Sequence, residues 1–158
     1  MPASRSAGLL LYRQVPELEV MIAHMGGPFW ARKDERAWSI PKGEYGTDED
    51  PLAAARREFA EELGSAAPDV DYAALGETKL SGGKVIQVWA GEADLDPATV
   101  VSNTFELEWP PRSGRTQAFP EIDRAEWFGI DVAARKLVAS QMVFLDRLVE
   151  VAASRRIS

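Results

Sequence analysis

The stretch "GEYGTDEDPLAAARREFAEELGS", residues 43–65, places Glu58, Glu61 and Glu62 almost side by side. It reads as a helix with its own start and stop signals. Asp50 suits the N-cap and Pro51 the first helical position. Alanines 53, 54 and 55 favour helix, and Gly64 suits a left-handed C-cap. Leu52, Ala55, Phe59 and Leu63 fall on one stripe, which should pack on a sheet. Glu58, Glu61 and Glu62 fall on another, at i, i+3 and i+4. Like charges at that spacing weaken a helix by about 0.2–0.5 kcal/mol per pair. A solvated acidic face is the plain explanation. Arg57, four residues before Glu61, offers a partial counter-charge.

Strand-like segments surround this helix. "SAGLLLYRQ" and "ELEVMIAHM" read as buried strands joined by a turn around Val15-Pro16-Glu17. A polar loop, "GGPFWARKDERA", leads to "AWSIPKGE", a short strand stopped by Pro41. Beyond the helix, "VDYAALGETKL" and "KVIQVWAGEA" should form a hairpin turned by Ser81-Gly82-Gly83. "TFELEWPPRSGRTQAFPE" starts as a strand and becomes a loop at Pro110-Pro111, and "RAEWFGI" reads as a last short strand. "DVAARKLVASQMVFLDRLVEVAAS" reads as one helix, with Met142, Leu145, Leu148 and Val149 at helical spacing. Mixed strands with a central and a terminal helix predict an α/β chain layered α/β/α, as one domain over residues 1–158. The irregular alternation argues against a simple doubly wound parallel sheet.

Residues 43–65 also match the Nudix box, G-x5-E-x7-R-E-U-x-E-E-x-G-U, where U is a bulky aliphatic. Gly43, Glu49, Arg57, Glu58, Glu61, Glu62 and Gly64 stand in register. Phe59 is aromatic where an aliphatic is usual, and Ser65 departs at the last position; both concern packing rather than the carboxylates. With "WSIPKGE" directly before it, the chain resembles the Nudix hydrolase family. The resemblance implies the Nudix fold, an α/β/α sandwich with a mixed β-sheet. It implies a metal-dependent pyrophosphohydrolase acting on a nucleoside diphosphate linked to X. Hard carboxylate oxygens clustered on one rigid helix suit Mg²⁺ or Mn²⁺. Carried over by position, Glu58, Glu61 and Glu62 match the metal ligands, with Glu58 or Glu61 as the base. Arg57 and Glu49 match an ion pair that orients them, and a backbone carbonyl at Lys42-Gly43 matches a further ligand.

Outside the box, Glu121 lies before the Trp127 strand, where several Nudix subfamilies carry an extra glutamate as ligand or base. Glu106 and Glu108 share one strand face, and solvent is its expected side. Lys42, Arg32, Lys33, Arg112 and Arg115 are candidate phosphate contacts, with Lys42 favoured because it adjoins the box. Phe29, Trp30 and Trp38 could stack on a base or pack beneath the loop. His24, the single histidine, is expected to be hydrogen-bonded and structural.

The net charge of −7 argues against a nucleic acid polymer as partner but permits a phosphorylated small molecule bridged by divalent cations. No apolar run reaches membrane-spanning length. There is no cysteine and no signal-peptide pattern, so a cytoplasmic protein, monomer or homodimer, is expected. A dinucleoside polyphosphate is the favoured substrate. The alternatives are housecleaning of (deoxy)nucleoside triphosphates and a non-catalytic Nudix module that binds nucleotides.

Overall fold

The structure, a computed structural model, describes residues 5–14 and 16–157. Val15, at the expected first turn, lies outside the described residues. The central strand is β1 (Arg5–Gln14), a nearly unbroken buried run, as expected for a strand covered on both faces. Its later half pairs antiparallel with β2 (Leu18–Met25), Leu11 opposite Met21. Its earlier half pairs antiparallel with β4 (Lys42–Tyr45), Gly8 opposite Lys42. Along its other edge runs β6 (Val85–Glu92), in parallel, and beyond it β5 (Tyr72–Lys79), in the expected antiparallel hairpin. On the far side β2 pairs with β3 (Trp38–Ser39) and with β9 (Ile122–Gly129). Among the described residues this makes one mixed sheet of seven strands.

Alternation along β1 sends side chains to two cores. Ala7, Leu9 and Leu11 meet Ala54, Ala55, Phe59 and Leu63 of helix α1 (Pro51–Leu63). Leu10 and Tyr12 face the opposite layer, with Phe144, Leu145 and Leu148. The result is the expected α/β/α sandwich on a mixed sheet. The caps of α1 are those read from the sequence. Asp50 accepts the Ala53 N–H at 3.0 Å, and Gly64 ends the helix in the left-handed region, at φ 70°.

Three expectations are corrected. "AWSIPKGE" is two short strands, because Pro41 has no N–H to continue a ladder, and pairing resumes at Lys42. "TFELEWPPRSGRTQAFPE" holds a second strand. β7 (Thr104–Glu108) and β8 (Thr116–Pro120) form a separate hairpin, with Phe105 opposite Phe119. The expected terminal helix is α2 (Ile130–Lys136) and α3 (Val143–Ile157), with a break between them that is extended at Leu137 and then forms a 3-10 turn over Ala139–Gln141. At that break Leu137 bridges Trp38, and the Val138 N–H donates to the Trp38 carbonyl at 3.0 Å, so the chain satisfies the free edge of β3. The break also turns the buried face of α3 to Phe144, Leu145, Leu148 and Ala152 and leaves Val149 exposed.

Candidate active site

The corner between β3 and β4 lies against α1, and the glutamates are placed from there. The Lys42 N–H donates to Glu62 Oε2 at 2.8 Å. Gly43 leaves room for Glu58; a Cβ at that position would fall inside the Glu58 carboxylate. The first glycine of the box is therefore a steric requirement of close approach rather than of a turn.

Arg57 answers much of the charge crowding. Its Nε and Nη2 donate to the two oxygens of Glu49 at 2.7 and 2.8 Å, a bidentate pair. Its Nη1 donates to Glu58 Oε1 at 2.8 Å and to Glu61 Oε1 at 3.2 Å. The Glu49 contact raises the Arg57 pKa, and Arg57 in turn holds the Glu49 carboxyl below its ordinary range. Glu58 behaves differently. Burial raises its pKa, against the opposing pull of Arg57. Glu62 has no such cation beside it. Burial pushes its carboxyl up to about 7, with Glu121 and Glu58 adding repulsion, against the Lys42 N–H and charge.

Arg57→Ala is expected to cost activity more than stability. The ion pairs are partly solvated, with the Arg57 side chain 40% exposed, so their loss should cost the fold under about 1 kcal/mol. Turnover should fall about 10–100-fold as Glu58 and Glu61 lose their anchor. Paired melting and steady-state measurements decide this, and a large melting shift with unchanged kinetics would make Arg57 a structural residue.

Beside these groups opens a cavity of about 540 Å³. Glu62, Lys42 and Glu121 line it together with Trp30, Phe105, Ser39 and Gln141. Glu121 is carried there by its backbone, which exchanges hydrogen bonds with Gly26 and Asn103, both 2.9 Å. Of the residues singled out in the sequence, Glu62, Lys42, Glu121 and Trp30 thus share one cavity. Glu58 and Glu61 stand beside them on α1. Phe29, Arg32, Arg112 and Arg115 do not line it. Phe29 is 59% exposed and packs edge-to-face on Trp109, with ring centroids 5.5 Å apart, and so joins the loop after β2 to the β7–β8 hairpin that carries the two arginines. Glu106 and Glu108 are exposed, on the solvent side of β7.

Trp38 is fully buried between His24 and Phe128, and its Nε1 donates to Asp34 at 2.9 Å, so it packs in the core and is closed to a base. His24 is buried as well. Its Nδ1 lies 2.9 Å from Asp123 and its Nε2 2.6 Å from the Lys33 carbonyl, tying the loop to the sheet. Gln141 and Ser39 escaped the sequence reading. The one signal was Gln141 itself, a polar residue in an apolar run assigned to a helix.

The donor set suits a hard divalent cation in kind. It offers carboxylate oxygens from Glu58, Glu61, Glu62 and Glu121, and burial with the neighbouring carboxylates raises the Glu62 acid, a strain that a cation would relieve. Among the described residues no three such side chains are already gathered as a cation cage. Arg57 holds Glu58 and Glu61 instead.

A seven-stranded mixed sheet between helical layers, with a glutamate-bearing helix at the mouth of a cavity, defines the class of protein. The NUDIX domain family matches residues 4–148, and the chain belongs to it. No curated protein matches the chain by sequence. Among solved structures it is similar to the C. elegans Ap4A hydrolase in a binary complex. That match has a TM-score of 0.64 at 19% identity, over 94% of this chain and 98% of that one. A mutT/nudix family protein from Listeria innocua matches with TM-score 0.64 at 14% identity, over 99% and 98%. The NUDIX domain of Shewanella oneidensis NrtR, solved with ADP ribose, matches with TM-score 0.59 at 15% identity, over 98% and 89%. At these identities the likeness is one of fold. Among the described residues no helix is long and apolar enough to cross a membrane.

Proposed function

We propose that this chain, as a single domain over residues 1–158, is a divalent-metal-dependent pyrophosphohydrolase that cleaves a phosphoanhydride bond in a nucleoside diphosphate linked to X. The best substrate class is a dinucleoside polyphosphate. The observation that carries the proposal is Glu62, a partly buried acid raised to about 7 that lines the cavity with Lys42 and Trp30, next to Glu58 and Glu61. Glu58, Glu61, Glu62, Glu121 and the Lys42 carbonyl would hold the ions, with Mg²⁺ or Mn²⁺ the fitting metals. When bound, the ions neutralise the polyphosphate and acidify the attacking water.

The chain's own residues do the rest. Lys42 adds positive charge where the phosphates enter. The Glu58 carboxyl, raised by burial, takes the proton as the water oxygen bonds to phosphorus. Glu61 is the second candidate for that step. The phosphorus–bridging-oxygen bond breaks, and the bridging oxygen leaves on the phosphorylated remainder of the substrate. Trp30 offers a stacking face for one base. A chain of several phosphates would leave the cavity along the rim formed by Phe29, Trp109 and the hairpin, where Arg32, Arg112 and Arg115 can meet it. The intact carboxylate set favours this over a binding module that has lost turnover.

A product-resolved panel tests the substrate class, using diadenosine tri-, tetra- and pentaphosphate, (deoxy)nucleoside triphosphates and nucleotide sugars with Mg²⁺. Diadenosine polyphosphates are expected to give the highest kcat/KM. Arg112→Ala with Arg115→Ala should raise KM more for the longer chains. A nucleotide sugar turned over far better than any dinucleoside polyphosphate would overturn the substrate class and leave the metal chemistry standing. Binding without turnover across the panel would establish the non-catalytic module instead.

A further inference from the structure

We propose that Gln141 is a positioning residue for the Glu62 carboxylate, acting through the backbone of residues 40–42. Strand β3 ends at Ser39, so the Ile40 N–H has no strand partner. Gln141, brought in by the break between α2 and α3, supplies one. Its Oε1 accepts the Ile40 N–H at 2.8 Å. Its Nε2 donates to Ser39 Oγ at 3.0 Å, and that hydroxyl donates to the Ile40 carbonyl at 2.9 Å. Pro41 has no N–H, and its carbonyl accepts from Leu9 N–H at 3.1 Å. The next donor along the chain is the Lys42 N–H, held by Glu62.

Besides its pairing with β1, the corner is held by Gln141 at Ile40 and by Glu62 at Lys42. Gln141 and Glu62 both line one cavity. Gln141 is 1% exposed, and no buried side-chain polar atom among the described residues lacks a partner. Such a closed network fixes its members in one arrangement. Without Gln141 the Ile40 N–H is orphaned in the core, and the corner must move to find a partner or water. The Lys42 amide is two residues on, with only the rigid Pro41 between, and it moves with the corner. A buried glutamine that merely fills space would cost stability and leave the Lys42–Glu62 bond alone.

The test reads that bond directly, by the ¹H–¹⁵N resonance of the Lys42 amide in the full chain. Glu62→Ala, which leaves no side-chain acceptor, supplies the reference shift for a lost bond. Gln141→Leu, or Gln141→Met if the first variant fails to fold, is expected to move the Lys42 resonance in the same direction. Ser39→Ala keeps the Ile40 bond and should move it less. On diadenosine tetraphosphate with Mg²⁺, the Gln141 variant should lose about 10–100-fold in kcat with KM changed less than about threefold, the pattern of displaced catalytic geometry. The kinetic arm rests on the proposed activity. The resonance arm does not, so an inactive wild-type protein would sink the substrate reading and leave this inference to be judged by the shift. An unmoved Lys42 resonance in a folded Gln141 variant, whatever its melting temperature, overturns it.

Discussion

Glu62→Gln is expected to lower turnover at least about 100-fold and, at pH 8 without metal, to make the protein more stable rather than less. The first effect is the scale of losing one strong electrostatic contact in a transition state. The second follows from the raised carboxyl. Glu62 titrates near 7 in the folded protein, against an ordinary value of 4.5. The folded state therefore holds the proton more tightly than the unfolded one. Ionisation costs the fold nothing below about pH 4.5, an increasing amount from there to about 7, and the full amount above. Glutamine has nearly the same shape, keeps an acceptor for the Lys42 N–H and carries no charge. A gain of about 1–2 kcal/mol at pH 8, shrinking towards zero near pH 4, is the expected result. It is measured by denaturant melts at both pH values. A variant that is less stable at pH 8 and still active would contradict both halves. A gain in stability paired with a loss of activity is the signature of a group kept for chemistry against the preference of the fold.

Removing divalent cations is expected to abolish hydrolysis altogether. EDTA should bring turnover to background, and Mg²⁺ or Mn²⁺ should restore it. The same ions should stabilise the fold, because they bind the assembled carboxylates and have little affinity for the unfolded chain. At about one hundred times Kd the gain is about 2.7 kcal/mol by mass action. For a domain of this size that is roughly 5–10 °C in melting temperature. In Glu62→Gln the metal-induced shift should shrink sharply while the metal-free melting temperature rises at pH 8. Full turnover after exhaustive chelation would rule out the mechanism.

What the sequence disclosed is unevenly spread, for physical reasons. Helix α1 was readable to its caps, because Asp50, Pro51 and Gly64 act locally and because its two stripes follow the helical period. Strands β1 and β2 were readable because continuous apolar runs mark strands buried on both faces, and β5 and β6 because the Ser-Gly-Gly turn between them marks a hairpin. The break between α2 and α3 was hidden. Leu137 and Val138 leave the helix to satisfy the edge of β3, about a hundred residues earlier in the chain, and local propensity carries no trace of such a contact. Gln141 was hidden with it, since its role exists only once that break is made. β8 was hidden by the prolines and glycine before it, which read as a loop although they serve as the turn of a hairpin.

The candidate site divides in the same way. The spacing put Glu58, Glu61 and Glu62 on one helix face, and that is local arithmetic. It did not show that they occupy three environments. Glu61 is exposed on Arg57, Glu58 is tucked against Gly43, and Glu62 lines the cavity. Trp30 and Trp38 looked equivalent in the sequence. The pairing of β3 with β2 buries Trp38, while Trp30 faces the cavity from its loop.

The most direct test of the central claim, that the α1 carboxylates hold the cations for phosphoanhydride hydrolysis, is the turnover of a Glu61→Gln/Glu62→Gln double variant in saturating Mg²⁺, with its fold verified by circular dichroism. The expected turnover is below about 1% of wild type, in a protein that melts cooperatively. A folded double variant that hydrolyses at close to the wild-type rate would contradict the claim.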